Sequence, residues 1–304
     1  MNTRIDIRIP LKSGFRAVFS DPLFLLWGAA IAVPKGILQL SLFDGTGFSA
    51  FDTFSRNSES VSFQEALILL VIISGIFLAG SSGIVALVSL MSRHENGDGL
   101  SFSSAWISVK QRMRYVVALE MLLMALVIAV GSILSIPSDL AAVRGLESLS
   151  RGLSYSALGL LLSISLVLFF LRQYAALYLS LSKISLRSAL ENATRLFRLH
   201  IKETILLSIV LLLLELAALF VVSDIFLFTQ SIFGKTLSFL SGVSGTLFEW
   251  VCVLGVLSMI EAWKWASWTS FFRMIALPRD PERSVLQKTE TVLQQESAVS
   301  LDEA

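Results

Sequence analysis

Six stretches of this chain are apolar for as long as a helix needs to cross the hydrocarbon core of a bilayer, about 20 residues. They cover roughly Pro22–Phe43, Ala66–Met91, Tyr115–Ile136, Ser154–Ser182, Thr204–Val222 and Thr246–Leu277. None shows the two-residue alternation of a membrane β-strand, and several are far too long for one. The chain is therefore expected to be an all-α polytopic membrane protein. Composition agrees: of 304 residues, 55% are hydrophobic and only 15% charged, with a mean hydropathy of +0.76. A soluble domain carries about 25% charged residues.

Charge and the rarer side chains exclude several classes of function. Twenty-four Lys and Arg against 23 Asp and Glu give a net charge of +1, without the basic excess of a nucleic-acid-binding domain. Cys252 is the single cysteine, so no intrachain disulfide and no cysteine metal cage can form. His94 and His200 are too few for most histidine metal centres. No cofactor is expected.

The basic residues set an orientation. Flanking the spans on one side are Arg4, Arg8, Lys12 and Arg16; Arg93, Lys110, Arg112 and Arg114; Arg172, Lys183, Arg187, Arg195, Arg198 and Lys202; and Arg273, Arg279, Arg283 and Lys288. The other side has Arg56, Arg144, Arg151 and Lys235. Eighteen against four places both termini in the cytoplasm. Ala30-Ile31-Ala32 after a cationic start resembles a signal cleavage site. Pro34 and the renewed apolar run from Ile37 to Leu42 argue instead for a retained first span.

The connections on the basic side repeat. Leu100-Ser101-Phe102-Ser103-Ser104-Ala105-Trp106 and Ile184-Ser185-Leu186-Arg187-Ser188-Ala189-Leu190 both read apolar-Ser-apolar-x-Ser-Ala-apolar. Ile9-Pro10-Leu11-Lys12-Ser13-Gly14-Phe15 follows the scheme, with Pro for Ser and Gly for Ala. Serine caps a helix N-terminus and proline fits its first turn. Apolar residues then recur at helical spacing: Phe102, Trp106, Val109 and Met113; Leu186, Leu190, Ala193 and Phe197; Leu11, Phe15 and Val18. Basic residues occupy the remaining surface. The expectation is three amphipathic helices lying on the membrane, with Lys12, Arg16, Lys110, Arg112, Arg114, Arg187, Arg195 and Arg198 against anionic lipid headgroups. Coincidental amphipathicity in three linkers is the bland alternative.

The unit would be a surface helix followed by a helical hairpin, used three times over about 8–92, 100–182 and 184–277. Each copy starts on the same side, so the repeats are parallel and related by an axis along the membrane normal. Residues 1–277 form one membrane domain on this scheme. Residues 278–304, with Pro278, Pro281 and a polar run, read as a mostly disordered cytoplasmic tail.

The stretch LRQYAALYLSLSKISLRSALENATRLFRLHIKETILLSIVLLLL, from Leu171 to Leu214, resembles bacterial multi-span proteins related to the membrane domain of glycerophosphoryl diester phosphodiesterases, and the inner-membrane YciC-type proteins. The stretch LSFSSAWISVKQRMRYVVALEMLLMAL from Leu100 is similar in style. The likeness covers most of residues 1–277 in layout. It implies a bacterial inner-membrane location and a membrane domain without the catalytic partner.

Charges inside spans are the usual marks of function in a membrane protein. Lys35 lies in the first span beside Pro34 and Gly36, Glu215 near the middle of the fifth, and Glu261 and Lys264 one turn apart on the sixth. Counted at about 1.5 Å per residue from the cytoplasmic ends, they lie at compatible depths. A polar cluster of Lys35, Glu215, Glu261 and Lys264 is expected to join these three spans, either as a structural lock or as an ion or proton pathway. Glu120, near a span end, is expected to snorkel toward water. Gly75, Ala79 and Gly83, with Ser74, Ser81 and Ser82 beside them, form a small-residue stripe suited to close helix packing, with a substrate groove as the lesser reading. The tryptophans of the sixth span suit packing or lipid contact.

No enzymatic constellation emerges. Gly45-Thr46-Gly47 has neither the strand before it nor the lysine after it of a phosphate loop. Arg93-His94-Glu95-Asn96-Gly97-Asp98-Gly99 reads as a polar turn. The expected role is non-enzymatic: organising or sensing membrane lipid, or binding a partner protein. A secondary transporter or lipid-translocating protein that uses the intramembrane charges is the alternative.

Overall fold

A computed structural model describes residues 6–43, 63–182, 184–235 and 243–276. The described residues form eight helices: α1 (Arg8–Ser20), α2 (Leu23–Phe43), α3 (Phe63–Asn96), α4 (Phe102–Val143), α5 (Glu147–Leu181), α6 (Leu186–Leu199), α7 (Ile201–Lys235) and α8 (Val243–Ala276). The fold is all-helical. By length and composition, α4 and α5 are each able to cross a membrane, and the bent pair α1–α2 makes a third candidate. The tail 278–304 lies outside the described residues.

Local chemistry sets the breaks. At the first, Asp21 is extended, its Oδ1 accepts the Leu23 amide at 2.8 Å, and the axes turn through 103°. Pro22 follows, where a missing amide costs a helix start nothing. Ser101 and Ser185 cap α4 and α6, each accepting the amide three residues on at 3.2 Å. His200 separates α6 from α7.

The second surface helix departs from expectation. The segment from Phe102 to Arg114 does not end before the span; it runs unbroken into it, giving one 42-residue helix. Nothing between Met113 and Val116 can stop a helix, whereas Asp21-Pro22 and His200 interrupt the other two copies. The apolar faces of α1 and α6 also pack on protein: α1 lies along α8, and α6 covers the end of α5. Ala189, Ala193 and Leu196 of α6 are buried there.

Helix α8 is the axis of the packed region, contacting α1, α2, α3, α5 and α7. From Leu257 onward it is nearly all inward-facing, and Trp265, Trp268, Phe271 and Phe272 are fully buried with Phe24, Tyr174 and Met91. Close approach depends on glycine. A side chain at Gly28 would strike the Ser258 carbonyl of α8, and one at Gly14 would strike the Ser267 backbone. The small residues recognised on α3 act similarly at Gly83, which lies against Ile31 and the Trp27 carbonyl, but Gly75 faces open space.

Candidate ligand cavity

Between α3, α5, α7 and α8 the helices leave a cavity of about 800 Å³, with Ile31 of α2 and Glu120 of α4 at its margin. Its wall is mainly apolar, including Phe77, Ile84, Phe170, Ile209, Leu212 and Trp268. Two sets of charges interrupt that wall.

The first set joins α4 to α5. Arg172 donates from Nε to both Glu120 oxygens, at 2.7 and 2.8 Å, and its Nη2 lies 2.7 Å from Oε1. The guanidinium also sits 6.0 Å from the Trp265 ring. Glu120 thus does not snorkel to water. A bidentate arginine within reach holds it more favourably than a stretched side chain could. Arg172 itself lies well inside α5, ten residues before Ser182, where a charge needs a partner at similar depth, as Glu120 is.

The second set joins α7 to α8. Lys264 Nζ lies 2.7 Å from Glu261 Oε1 and 3.6 Å from Glu215 Oε2. Glu261 is almost wholly buried, and Glu215 and Lys264 are mostly so. The structure therefore brings together three of the four residues expected to cluster. Lys35 belongs to α2, but its side chain falls outside the described residues.

Neutral polar groups complete the wall. Gln173 and Ser81 line the cavity and are 1% and 2% exposed, and neither Gln173 Oε1 nor Ser81 Oγ has a hydrogen-bond partner among the described residues. Behind the wall, Tyr174 and Thr204 join α5 to α7 through a 2.5 Å hydroxyl contact. Ser81 belongs to the small-residue stripe of α3, whereas Gln173 and Tyr174 carry no sequence signal, because uncharged polar residues at these spacings do not stand out from packing residues.

Of the residues expected at headgroups, Lys12, Arg16, Lys110, Arg114, Arg187, Arg195 and Arg198 are exposed. Arg187 pairs with Glu191 at 2.8 Å, Lys110 sits over Trp106, and Arg114 over Tyr115. Arg112 differs: it is half-buried and donates to the Ser180 carbonyl. The polar turn after α3 has Gly97 at φ +75°, and Glu95 reaches Arg273 of α8 at 3.3 Å. Among the described residues, no three His, Cys, Asp or Glu side chains converge as metal ligands would.

No family model, curated protein or solved structure matches this chain.

Proposed function

We propose that this is a non-enzymatic, six-span protein of the bacterial inner membrane, built from three parallel repeats, whose lateral cavity holds a membrane lipid or similar amphiphile. The observation that carries this reading is the cavity itself. Its volume of about 800 Å³ lies in the range of small-molecule sites, and an apolar wall with a few polar groups is what such sites use to orient a ligand. The 18-to-4 asymmetry of basic residues supports the six-span orientation, and the helical breaks at Asp21-Pro22 and His200 support the repeat. The likeness of Leu171–Leu214 to the membrane domain of glycerophosphoryl diester phosphodiesterases and to YciC-type proteins supports the inner-membrane assignment.

A second reading, translocation of a lipid or other amphiphile, is favoured by one observation: both sets of charges line the cavity and are not sealed behind it. Charge within the hydrocarbon costs at least about 2.5–3.5 kcal/mol, so a wall that keeps it is under selection for something.

Native mass spectrometry of the protein ejected from nanodiscs tests the first reading. Wild type retains lipid, and Phe170→Trp with Ile209→Trp, which fill the cavity, retain at least several-fold less. Equal retention would remove the cavity from the function. Substrate flux in proteoliposomes, abolished by Glu215→Gln, would favour the second reading. Reporter fusions test topology: positions after Arg93, Lys202 and Arg283 report cytoplasm, and positions near Arg56, Arg144 and Lys235 report outside. An outside signal at Lys202 overturns the six-span scheme.

A further inference from the structure

A second, smaller recess lies apart from the lateral cavity, at the basic ends of α3, α4 and α5. It holds about 300 Å³ and is lined by Ser89, Ser92 and Arg93 of α3, Asp98 of the following turn, Ser108 and Arg112 of α4, and Ser180 of α5. Its wall is polar where the lateral cavity is apolar. Two arginines face it, and among the described residues neither makes an ion pair with a carboxylate. Every other half-buried arginine here does: Arg172 holds Glu120, and Arg273 holds Glu95.

The arrangement of the hydroxyls sharpens the chemistry. Ser89 and Ser108 share a 2.9 Å hydrogen bond across α3 and α4. Ser180 is 2% exposed and its Oγ has no hydrogen-bond partner among the described residues. Arg112 spends one donor on the Ser180 carbonyl, and a guanidinium carries five in a fixed fork. Two half-buried guanidiniums in a recess that serine hydroxyls also line supply the donors that a tetrahedral oxyanion needs. A carboxylate-only ligand would use fewer of them. Asp98, exposed at the rim, disfavours an anion placed at the mouth and accepts a hydroxyl or ammonium carried by the same ligand.

We infer that this recess is a phosphate-binding site, taking a phosphomonoester or phosphodiester whose phosphate sits between Arg93 and Arg112. The ligand has two possible sources with the same chemistry, the phosphate of a membrane lipid and a soluble phosphate ester from the cytoplasm. Three helices from two successive hairpins contribute to the site, so occupancy clamps the ends of α3, α4 and α5 together.

The test uses the full chain in phosphatidylcholine nanodiscs. One arm adds soluble glycerol 3-phosphate, with glycerol as control, and measures binding by equilibrium dialysis. The other doped arm replaces some phosphatidylcholine with phosphatidic acid and counts retained lipid by native mass spectrometry. Saturation in either arm is expected, and the arm that saturates identifies the source. Arg93→Gln and Arg112→Gln should each weaken that binding at least ten-fold, the factor expected for losing a charge-assisted hydrogen bond. The paired change Arg144→Gln and Arg151→Gln, exposed at the opposite end of the α4–α5 pair, should leave it unchanged. Arg112→Lys keeps the charge and guards against misfolding; it should bind more weakly than wild type and more tightly than Arg112→Gln. No saturation in either arm overturns the inference. So does equal weakening by the Arg144 and Arg151 changes, which would mean diffuse surface charge. Neither result touches the lateral cavity, whose retained lipid is counted separately.

Discussion

The two halves of α5 are both apolar and have opposite surroundings. From Glu147 to Phe169 the helix shows its side chains outward, and Leu158, Leu160, Leu162 and Leu166 are each more than half exposed. From Phe170 to Leu181 it is enclosed, and Tyr174, Ala175, Ala176 and Leu177 are fully buried. The exposed half is rich in leucine. The buried half carries alanine, tyrosine, glutamine and serine, with Arg172 at its edge. In water that distribution would be inverted. In a bilayer the lipid chains are as apolar as leucine, so burial between helices comes from close packing by small residues and from interhelical hydrogen bonds.

The largest expected effect tests that contrast directly. Trp268, 1% exposed on α8, packs edge-on against Tyr174 at a 5.8 Å ring separation. Trp268→Ala should cost roughly 3 kcal/mol or more in reversible unfolding, through lost dispersion contacts and the void left behind. Leu160→Ala should change stability by less than about 0.5 kcal/mol, because lipid refills the space. A comparable loss at Leu160 would break the comparison, since something other than lipid would then cover the outer half.

A smaller effect is expected where the halves meet. Glu120→Gln leaves Arg172 without its carboxylate in the cavity wall. Loss of one partner from a fully buried pair costs about 3–5 kcal/mol, but Arg172 is 31% exposed and that screening reduces the cost to roughly 1–3 kcal/mol. Replacing both, Glu120→Met with Arg172→Met, should recover most of the loss in the same unfolding measurement. If the double variant is no better than the single, the pair does more than neutralise itself, and the translocation reading gains.

How far such features could be read in advance depends on which force encodes them. The helices were legible from apolar run length, and depth counting grouped Glu215, Glu261 and Lys264 because charge in hydrocarbon must find a partner. Glu120 stands near a span end, where snorkelling also satisfies a charge, so its sequence position does not dictate the pairing with Arg172. Helix rotation could not be read. The apolar face of α6 points at α5, and an amphipathic pattern has the same spacing whether it meets lipid or protein. The continuity of α4 through Arg114 was legible in principle, since no proline, glycine or capping residue stands there. The two recesses were not, because they depend on how five helices pack.

The smallest expected effect concerns how the exposed half of α5 is held at all. There the hairpin relies on serines: Ser138 Oγ lies 2.6 Å from Ser154 Oγ, and Ser150 donates to the Ser138 carbonyl at 3.0 Å. Pro137 sits just before this point and removes one backbone donor inside α4, leaving the helix easier to bend there. Ser138→Ala removes the contacts that one hydroxyl shares with Ser154 and Ser150, and an interhelical hydrogen bond is worth about 0.6 kcal/mol on average inside a membrane protein. Global stability should therefore fall by less than about 1 kcal/mol. Spin labels at Leu140 and Leu149, both exposed, should nevertheless report a broader distance distribution, while labels near the buried half stay unchanged. A broadening that spreads to both halves would show that α5 moves as one body. No broadening at either end would show that leucine packing alone holds the outer hairpin, and that the serine contacts are incidental to it.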